Sequence, residues 1–292
     1  MRLSLLAKPC ALPPEIINSK GRYLFWIGLA AILLMAIPIL NSLFALWWSD
    51  ETFNGLSLVP LMAISLLYRK RNEFNKKAIS RFMPLFYCAS AGAAVLMLWV
   101  FFAGSVRLAG YLFVISLILL FFGSLGKKMG RAGLGPLVFM SLMVPPCKGL
   151  VNEVTLMLQH IFSFTVDLLA PLFSSNYIGR EGVVFWFMNY DIPIVIAPEC
   201  SGIRSLLGML IIGSYWAIMD RLPPGKKIVV ILTSIALALT FNLIRIIATI
   251  QLRLYGLETF AEGRWHGLFG AGICLLGFVI LDKLSKRLRD HR

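Results

Sequence analysis

Four residues with reactive or charged side chains stand close together in an otherwise apolar part of the chain. They are Glu199, Cys200, Ser201 and Arg204, between an extended, β-rich segment and a long apolar run. This predicts that Cys200 lies at a helix N-terminus, where the dipole and free N–H groups favour the thiolate. Glu199 opposes that effect as a nearby negative charge. Alternatively, Cys200 is an inert small residue.

Arg204 follows Cys200 by four residues, which places both on one face of the predicted helix. It is therefore a candidate to activate the thiol. The alternative is that its guanidinium extends to the membrane interface and has no part in the chemistry.

Two further residues with chemical potential stand in or beside later apolar runs. Arg245 lies inside one, where an arginine costs at least about 2.5 kcal/mol and indicates a function. Asn242 precedes it by three residues on the same helix face and is a candidate to orient it. The alternative for Arg245 is a structural pair with Glu199. His266 opens the last apolar run, and its alternative is a structural role at the interface.

A thiol, an imidazole and a guanidinium together favour nucleophilic acyl transfer. The imidazole accepts the thiol proton, and a fixed cation stabilises the tetrahedral oxyanion. The sequence contains no HExxH, Walker or GxSxG motif, and its five cysteines form no CxxC pair. We therefore expect no cofactor, no metal site and no disulfide framework.

The composition indicates a multi-pass membrane protein. Of 292 residues, 59% are hydrophobic and only 14% charged, and the mean hydropathy is +0.81. Several apolar runs are long enough to cross roughly 30 Å of hydrocarbon. The net charge of +14 does not indicate nucleic-acid binding, because no hydrophilic stretch large enough to fold alone carries a basic and aromatic patch.

The predicted fold is an all-α integral membrane protein with about eight spans. An amphipathic helix over about 151–173 is predicted to lie in the membrane interface. A β-hairpin follows, with strands at Val183–Phe187 and Ile192–Ile196 and with Asn189 and Asp191 as turn residues. The spans are about Tyr23–Trp48, Gly55–Tyr68, Met83–Ala103, Gly110–Leu125, Gly133–Val144, Ser201–Met219, Ile228–Ile250 and Gly267–Leu281.

The distribution of basic residues predicts the orientation. With both termini cytoplasmic, the inner segments hold 21 of the 28 lysines and arginines, as the positive-inside rule requires. A ninth span at 151–173 would break this alternation. Arg245 then lies about 17 residues, or roughly 26 Å, into its span. Cys200, Arg245 and His266 are thus all predicted near the outer face, on three different spans.

At these residues the sequence resembles the exosortase/archaeosortase family of multi-pass cysteine transpeptidases. The resemblance rests on Ala197-Pro198-Glu199-Cys200-Ser201-Gly202-Ile203-Arg204, Asn242-Leu243-Ile244-Arg245 and His266, with Pro145-Pro146 before them. It covers about residues 140–282. The residues are accordingly divided into an N-terminal transmembrane region, 1–140, and an exosortase-like catalytic membrane region, 141–292.

The resemblance implies a cysteine peptidase/transpeptidase of the cell inner membrane, with its active site on the extracytoplasmic face. Its partners would be exported proteins with a C-terminal sorting signal (motif, transmembrane helix and basic tail), the lipid bilayer and an acceptor nucleophile. Cys200 would be the nucleophile, Arg245 the transition-state stabiliser and His266 the general acid/base. Arg204, Asn242 and Ser201 are added as supporting residues.

Two other functions are compatible with the same residues. The first is a transporter or a component of lipid-linked glycan export that uses Arg245 as an anion site. The second is a non-catalytic assembly subunit, whose function would survive substitution of Cys200 or Arg245. A substrate acyl group trapped on Cys200 would separate the peptidase from both.

Overall fold

The computed structural model describes residues 14–71, 83–188, 190–220, 222–257 and 263–290. Within these residues it contains eight α-helices and three β-strands. The helices are α1 (Pro14–Ser49), α2 (Val59–Arg69), α3 (Pro84–Phe102), α4 (Val106–Met140), α5 (Lys148–Phe173), α6 (Ile203–Met219), α7 (Pro224–Leu254) and α8 (Gly263–Asp290). The strands are β1 (Tyr177–Glu181), β2 (Val184–Phe187) and β3 (Tyr190–Val195). Short 3₁₀ helices cover Glu51–Leu58, Ser141–Met143 and Pro198–Cys200.

The chain is an all-α integral membrane protein with one small sheet, as predicted. Among the described residues, seven helical segments are long and apolar enough to cross a membrane. Helix formation satisfies every backbone N–H and C=O internally, which hydrocarbon requires of a spanning segment. The seven segments are Tyr23–Ser49, Glu51–Arg69, Pro84–Phe102, Val106–Met143, Lys148–Phe173, Pro198–Met219 and Pro224–Leu254. The eighth predicted span falls on α8.

The chain divides into two compact units, which consist of residues 1–45 with 63–144 and residues 46–62 with 145–292. In the first unit, helix α4 reverses direction at Gly126, whose backbone angles are φ 78° and ψ 176°. A Cβ at Gly110 would lie 2.9 Å from Val144, and one at Gly133 would lie 2.9 Å from Phe121. The two halves of α4 are therefore antiparallel and correspond to predicted spans four and five. Residues 127–131, which lie between these two predicted spans, are helical.

In the second unit, α6 and α7 pack closely because the glycine that caps α6 and a glycine within it face polar residues on α7. A Cβ at Gly202 would lie 2.5 Å from the side-chain Cγ of Asn242, and one at Gly213 would collide with Ser234. Small residues commonly allow such close approach between membrane helices. Helix α8 packs on the same pair, and Leu281 belongs to its buried apolar cluster. This packing brings the start of α6 beside the later part of α7.

The sheet before α6 has three antiparallel strands in the order β1-β2-β3. The predicted hairpin is confirmed as β2 and β3, but strand β1 was not predicted. Asp191 lies within β3 and is not a turn residue, whereas Asn189 falls outside the described residues. The turn between β1 and β2 contains Gly182 at φ +62°, a conformation that side chains rarely adopt.

Helix α5 carries three of its polar residues on the side that faces the protein. Gln159 and Ser163 are buried, and Asp167 accepts hydrogen bonds from Tyr177 and Arg180 of β1. Burial and the bond to Asp167 raise the pKa of Tyr177 above its usual range. Asn152 and His160 are exposed, so only part of the polar pattern of α5 is explained by contacts inside the protein. The interfacial orientation stays a prediction and rests on the distribution of basic residues.

Candidate active site

Cys200 ends a short 3₁₀ turn that joins the sheet to helix α6. The turn Pro198–Cys200 is closed by the Cys200 N–H, which donates to the Ala197 carbonyl at 2.9 Å, and by the Ser201 N–H, which donates to Pro198 at 3.0 Å. Gly202 follows at φ +80° and caps α6. Cys200 therefore lies just before the helix, two residues from its N-cap. It is partly buried and packs against the apolar cluster of α5, the sheet and α7.

Asn242 joins the cysteine turn to Arg245. Its amide nitrogen donates to the Cys200 carbonyl at 2.9 Å, and its amide oxygen accepts from Arg245 Nη2 at 2.8 Å. The side chain is only 3% exposed. A buried amide whose two ends are both hydrogen-bonded has little rotational freedom. Asn242 therefore fixes the position of the Arg245 guanidinium relative to the main chain of Cys200.

Arg245 also approaches the turn directly, since its Nη2 lies 3.4 Å from the Glu199 carbonyl oxygen. The structure thus brings Arg245 and Cys200 together from two different helices. Arg245 thus provides a positive charge beside the Cys200 turn, where a partly buried thiolate would otherwise be an unpaired and costly charge.

Arg204 forms an ion pair that neither of the two alternatives for this residue included. Its Nη2 is 2.8 Å from Glu51 Oε2, and the two side chains are 57% and 78% exposed. Glu51 begins the 3₁₀ helix Glu51–Leu58, which belongs to the same unit. The structure therefore connects Arg204 to this helix. No sequence pattern predicts this pair, because its two members are 153 positions apart.

Ser201 is fully buried, and its hydroxyl has no hydrogen-bond partner within the described part of the chain. Its N–H closes the turn, as described above. The Ser201 hydroxyl is therefore a buried polar group without a partner among the described residues, which costs about 1–3 kcal/mol.

His266 is the fourth residue of helix α8, but its side chain lies outside the described residues. The structure does describe a supporting residue that was not predicted for the site. The Gln159 side chain of α5 donates to the Ile196 carbonyl at 2.9 Å and is 5% exposed. It anchors the segment that leads from β3 to Cys200.

The described arrangement combines the thiol of Cys200 with a fixed cation. The thiol is partly accessible, and a guanidinium is held next to its turn by a buried amide. Both N–H groups of the turn at Cys200 and Ser201 are already bonded to carbonyls. A developing oxyanion at Cys200 would therefore depend on a side-chain donor such as Arg245 rather than on these two amides. Among the described residues, no group of histidine, cysteine and acidic side chains is arranged to hold a metal.

Comparison with known proteins agrees with the resemblance at these residues and extends it. The family model described as transmembrane exosortase (Exosortase_EpsH) matches residues 47–281. The match begins well before residue 140 and includes both the Cys200 turn and the Asn242–Arg245 segment. No curated protein and no solved structure gave a significant match. Since the family model covers most of the chain, this protein belongs to the transmembrane exosortase family.

Proposed function

We propose that this protein is a membrane cysteine endopeptidase/transpeptidase that cleaves the C-terminal sorting signals of exported proteins. Its substrates would end in a short motif, a transmembrane helix and a basic tail. Membership of a family of sorting-related transpeptidases supports this proposal at the level of the family. The observation that carries it for this chain is the buried Asn242 bridge between the Cys200 turn and Arg245.

The proposed reaction starts with transfer of the Cys200 thiol proton to His266. The thiolate attacks the scissile carbonyl, forms a C–S bond and generates a tetrahedral oxyanion, which Arg245 stabilises. The C–N bond then breaks, and the leaving amine takes the proton from the imidazolium. The exported protein remains on Cys200 as a thioester. An acceptor nucleophile, or water, attacks the thioester and restores the thiol.

The membrane fold suits such a substrate. A substrate helix in the bilayer can pack beside α6 and α7, and its motif would then lie at the end of the helices where Cys200 is found. The predicted orientation places that end on the extracytoplasmic face, where exported proteins arrive. Localisation to the cell inner membrane is part of what the family resemblance implies.

Processing of a tailed protein tests the proposal. The chain is produced with an exported protein of the same organism that ends in motif, helix and basic tail, and the mass shift of the latter is followed. We expect Cys200→Ala and Cys200→Ser to abolish processing while the variants still accumulate in the membrane. Cys147→Ala is the matched control, because this exposed cysteine precedes α5 and lies outside the proposed site. Normal processing by Cys200→Ala would refute the proposal.

A further inference from the structure

Strand β3 leads directly to the nucleophile and has an open edge. The sheet order is β1-β2-β3, so β3 pairs with β2 on one side, and no further strand pairs with it in the described part of the chain. Only Ile196 and Ala197 separate its last residue from the turn Pro198–Cys200. The open edge therefore continues towards the cysteine.

The register shows which groups face this edge. Val195 is opposite Val184, and Ile194 is opposite Phe185. The Ile196 N–H donates to the Val183 carbonyl at 3.0 Å, which makes residues 183 and 196 a hydrogen-bonded pair. Hydrogen-bonded pairs alternate along an antiparallel ladder. The N–H and C=O of Val195 consequently point away from β2, towards the open edge.

Pro193 is two residues earlier and also presents its backbone to the open edge. A proline has no N–H to donate, so this position suits the edge of a sheet. It offers one carbonyl acceptor and limits how far another strand can pair. The edge therefore provides a short hydrogen-bonding site, with a donor and an acceptor at Val195 and an acceptor at Pro193.

Exposed apolar side chains lie on and beside this edge. Val195 is 47% exposed, and Trp186 on the same face of β2 is 42% exposed. Ile192 is 69% exposed and lies where the pairing of β2 with β3 is irregular. The opposite face, with Phe185, Phe187 and Ile194, is buried against α5 and α7. A short extended peptide can therefore gain both main-chain hydrogen bonds and apolar contact here.

We propose that the β3 edge binds the segment of the substrate to be cleaved, as an added fourth strand. This inference rests on the proposed function, which supplies the occupant: an extended segment of an exported protein just before its transmembrane helix. Each extended residue spans roughly 3.3 Å. The scissile bond is therefore expected a few extended residues from the substrate residue that pairs with Val195, towards the Cys200 turn. Because the hydrogen bonds of an added strand involve only the main chain, the sequence motif of the substrate would be recognised through only a few of its side chains.

Binding is measured with the full-length Cys200→Ala protein in lipid nanodiscs. The probe is a fluorescent synthetic peptide that covers the motif preceding the transmembrane helix of a tailed protein from the same organism. Adding Val195→Pro removes the N–H at the open edge without removing a bond of the β2–β3 ladder. Val195→Ala is the matched control, because it shortens the side chain and keeps the N–H. We expect Val195→Pro to weaken binding at least tenfold and Val195→Ala to weaken it less than threefold.

A second measurement does not depend on how Val195→Pro folds. Peptides N-methylated at one backbone amide at a time are compared for binding. A strand added at β3 predicts loss of binding at alternate amides, with the amides between them tolerating the methyl group. Equal binding by Val195→Pro and Val195→Ala with the same stability, uniform effects of N-methylation, or no binding of the unmodified peptide would overturn the inference.

Cleavage by the unsubstituted protein separates this inference from the proposed function. Alternating N-methyl sensitivity without cleavage would support binding at the edge and refute the peptidase. Cleavage of the unmodified peptide with uniform N-methyl effects would support the peptidase and refute binding at the edge.

Discussion

The side-chain amide of Asn242 donates to the carbonyl oxygen of Cys200 at 2.9 Å, and its oxygen accepts from Arg245 at 2.8 Å. One buried side chain thus connects the main chain of the proposed nucleophile to the cation that would stabilise the oxyanion. The packing of α6 on α7 therefore determines where Arg245 lies relative to Cys200. Asn242 is accordingly a positioning residue in the proposed mechanism.

Replacing Asn242 tests this positioning. Asn242→Ala removes both bonds, and we expect processing of a tailed substrate to fall about 10- to 100-fold, since a buried hydrogen bond left unmade costs about 1–3 kcal/mol. Asn242→Asp keeps the acceptor for Arg245 but loses the amide donor to Cys200, so it should also lose activity. Ser234→Ala, at another buried polar position of α7, is the control.

A readout of the thiol distinguishes positioning from folding in this experiment. The pH dependence of Cys200 alkylation should shift in Asn242→Ala, because Arg245 is no longer held beside the turn. Unchanged alkylation together with unchanged processing would show that the Asn242 bridge has no role in the reaction.

The contact between Gly202 and Asn242 makes a second prediction. A Cβ at Gly202 would lie 2.5 Å from Asn242 Cγ, and the residue has φ +80°. Gly202→Ala should therefore displace Asn242 and reduce both activity and thermal stability. Gly208→Ala is the matched control on α6, because a Cβ there meets nothing within 4 Å. If Gly202→Ala behaved like Gly208→Ala, the close packing would not be important.

Substitutions in the Arg204–Glu51 ion pair distinguish two roles for Arg204, a structural contact with the 3₁₀ helix and activation of the Cys200 thiol. If Arg204 mainly connects α6 to the 3₁₀ helix, Arg204→Ala and Glu51→Ala should have similarly small effects on stability. Their coupling in a double-mutant cycle should be about 0–1 kcal/mol, as for other exposed ion pairs. Processing should then be equally affected in both variants. A large loss confined to Arg204→Ala would instead support activation of the thiol.

The bond between Tyr177 and Asp167 predicts a pH-dependent contribution to stability. Tyr177→Phe should reduce the free energy of unfolding by about 1 kcal/mol, because it removes one hydrogen bond between β1 and α5. The folded-state pKa of Tyr177 is raised. This contribution is therefore fully present below about pH 10, the unfolded value, and is lost as the pH rises towards the folded value. Thermal unfolding of both proteins at pH 7 and above pH 10 measures it; an unchanged difference would contradict the assignment.

The fold class was predictable because apolar runs of sufficient length identify membrane helices. The two strands of the hairpin were also visible, since Val183–Phe187 and Ile192–Ile196 are rich in β-forming residues. Strand β1 was not, because Tyr177–Glu181 contains a glycine and two charged residues. The helical structure of residues 127–131 was not predictable, because their basic composition is typical of a loop.

The candidate residues of the site could be selected by their types, but most of the contacts between them could not be predicted. Asn242 was expected to orient Arg245 because the two are three residues apart on a helix, and the structure shows this bond. Its bond to Cys200 depends on how α6 packs on α7. Gln159 was missed for the same reason: its contact with the segment before Cys200 exists only in three dimensions.

Detection of a substrate acyl group on Cys200 tests the central claim most directly. The protein is incubated with a tailed substrate without an acceptor, the reaction is stopped in acid, and the peptide containing Cys200 is analysed by mass spectrometry. The account predicts a hydroxylamine-sensitive thioester on Cys200, no adduct in Cys200→Ala, and much less in Arg245→Ala. Cleaved substrate without any adduct on Cys200, or an adduct on another residue, would contradict it.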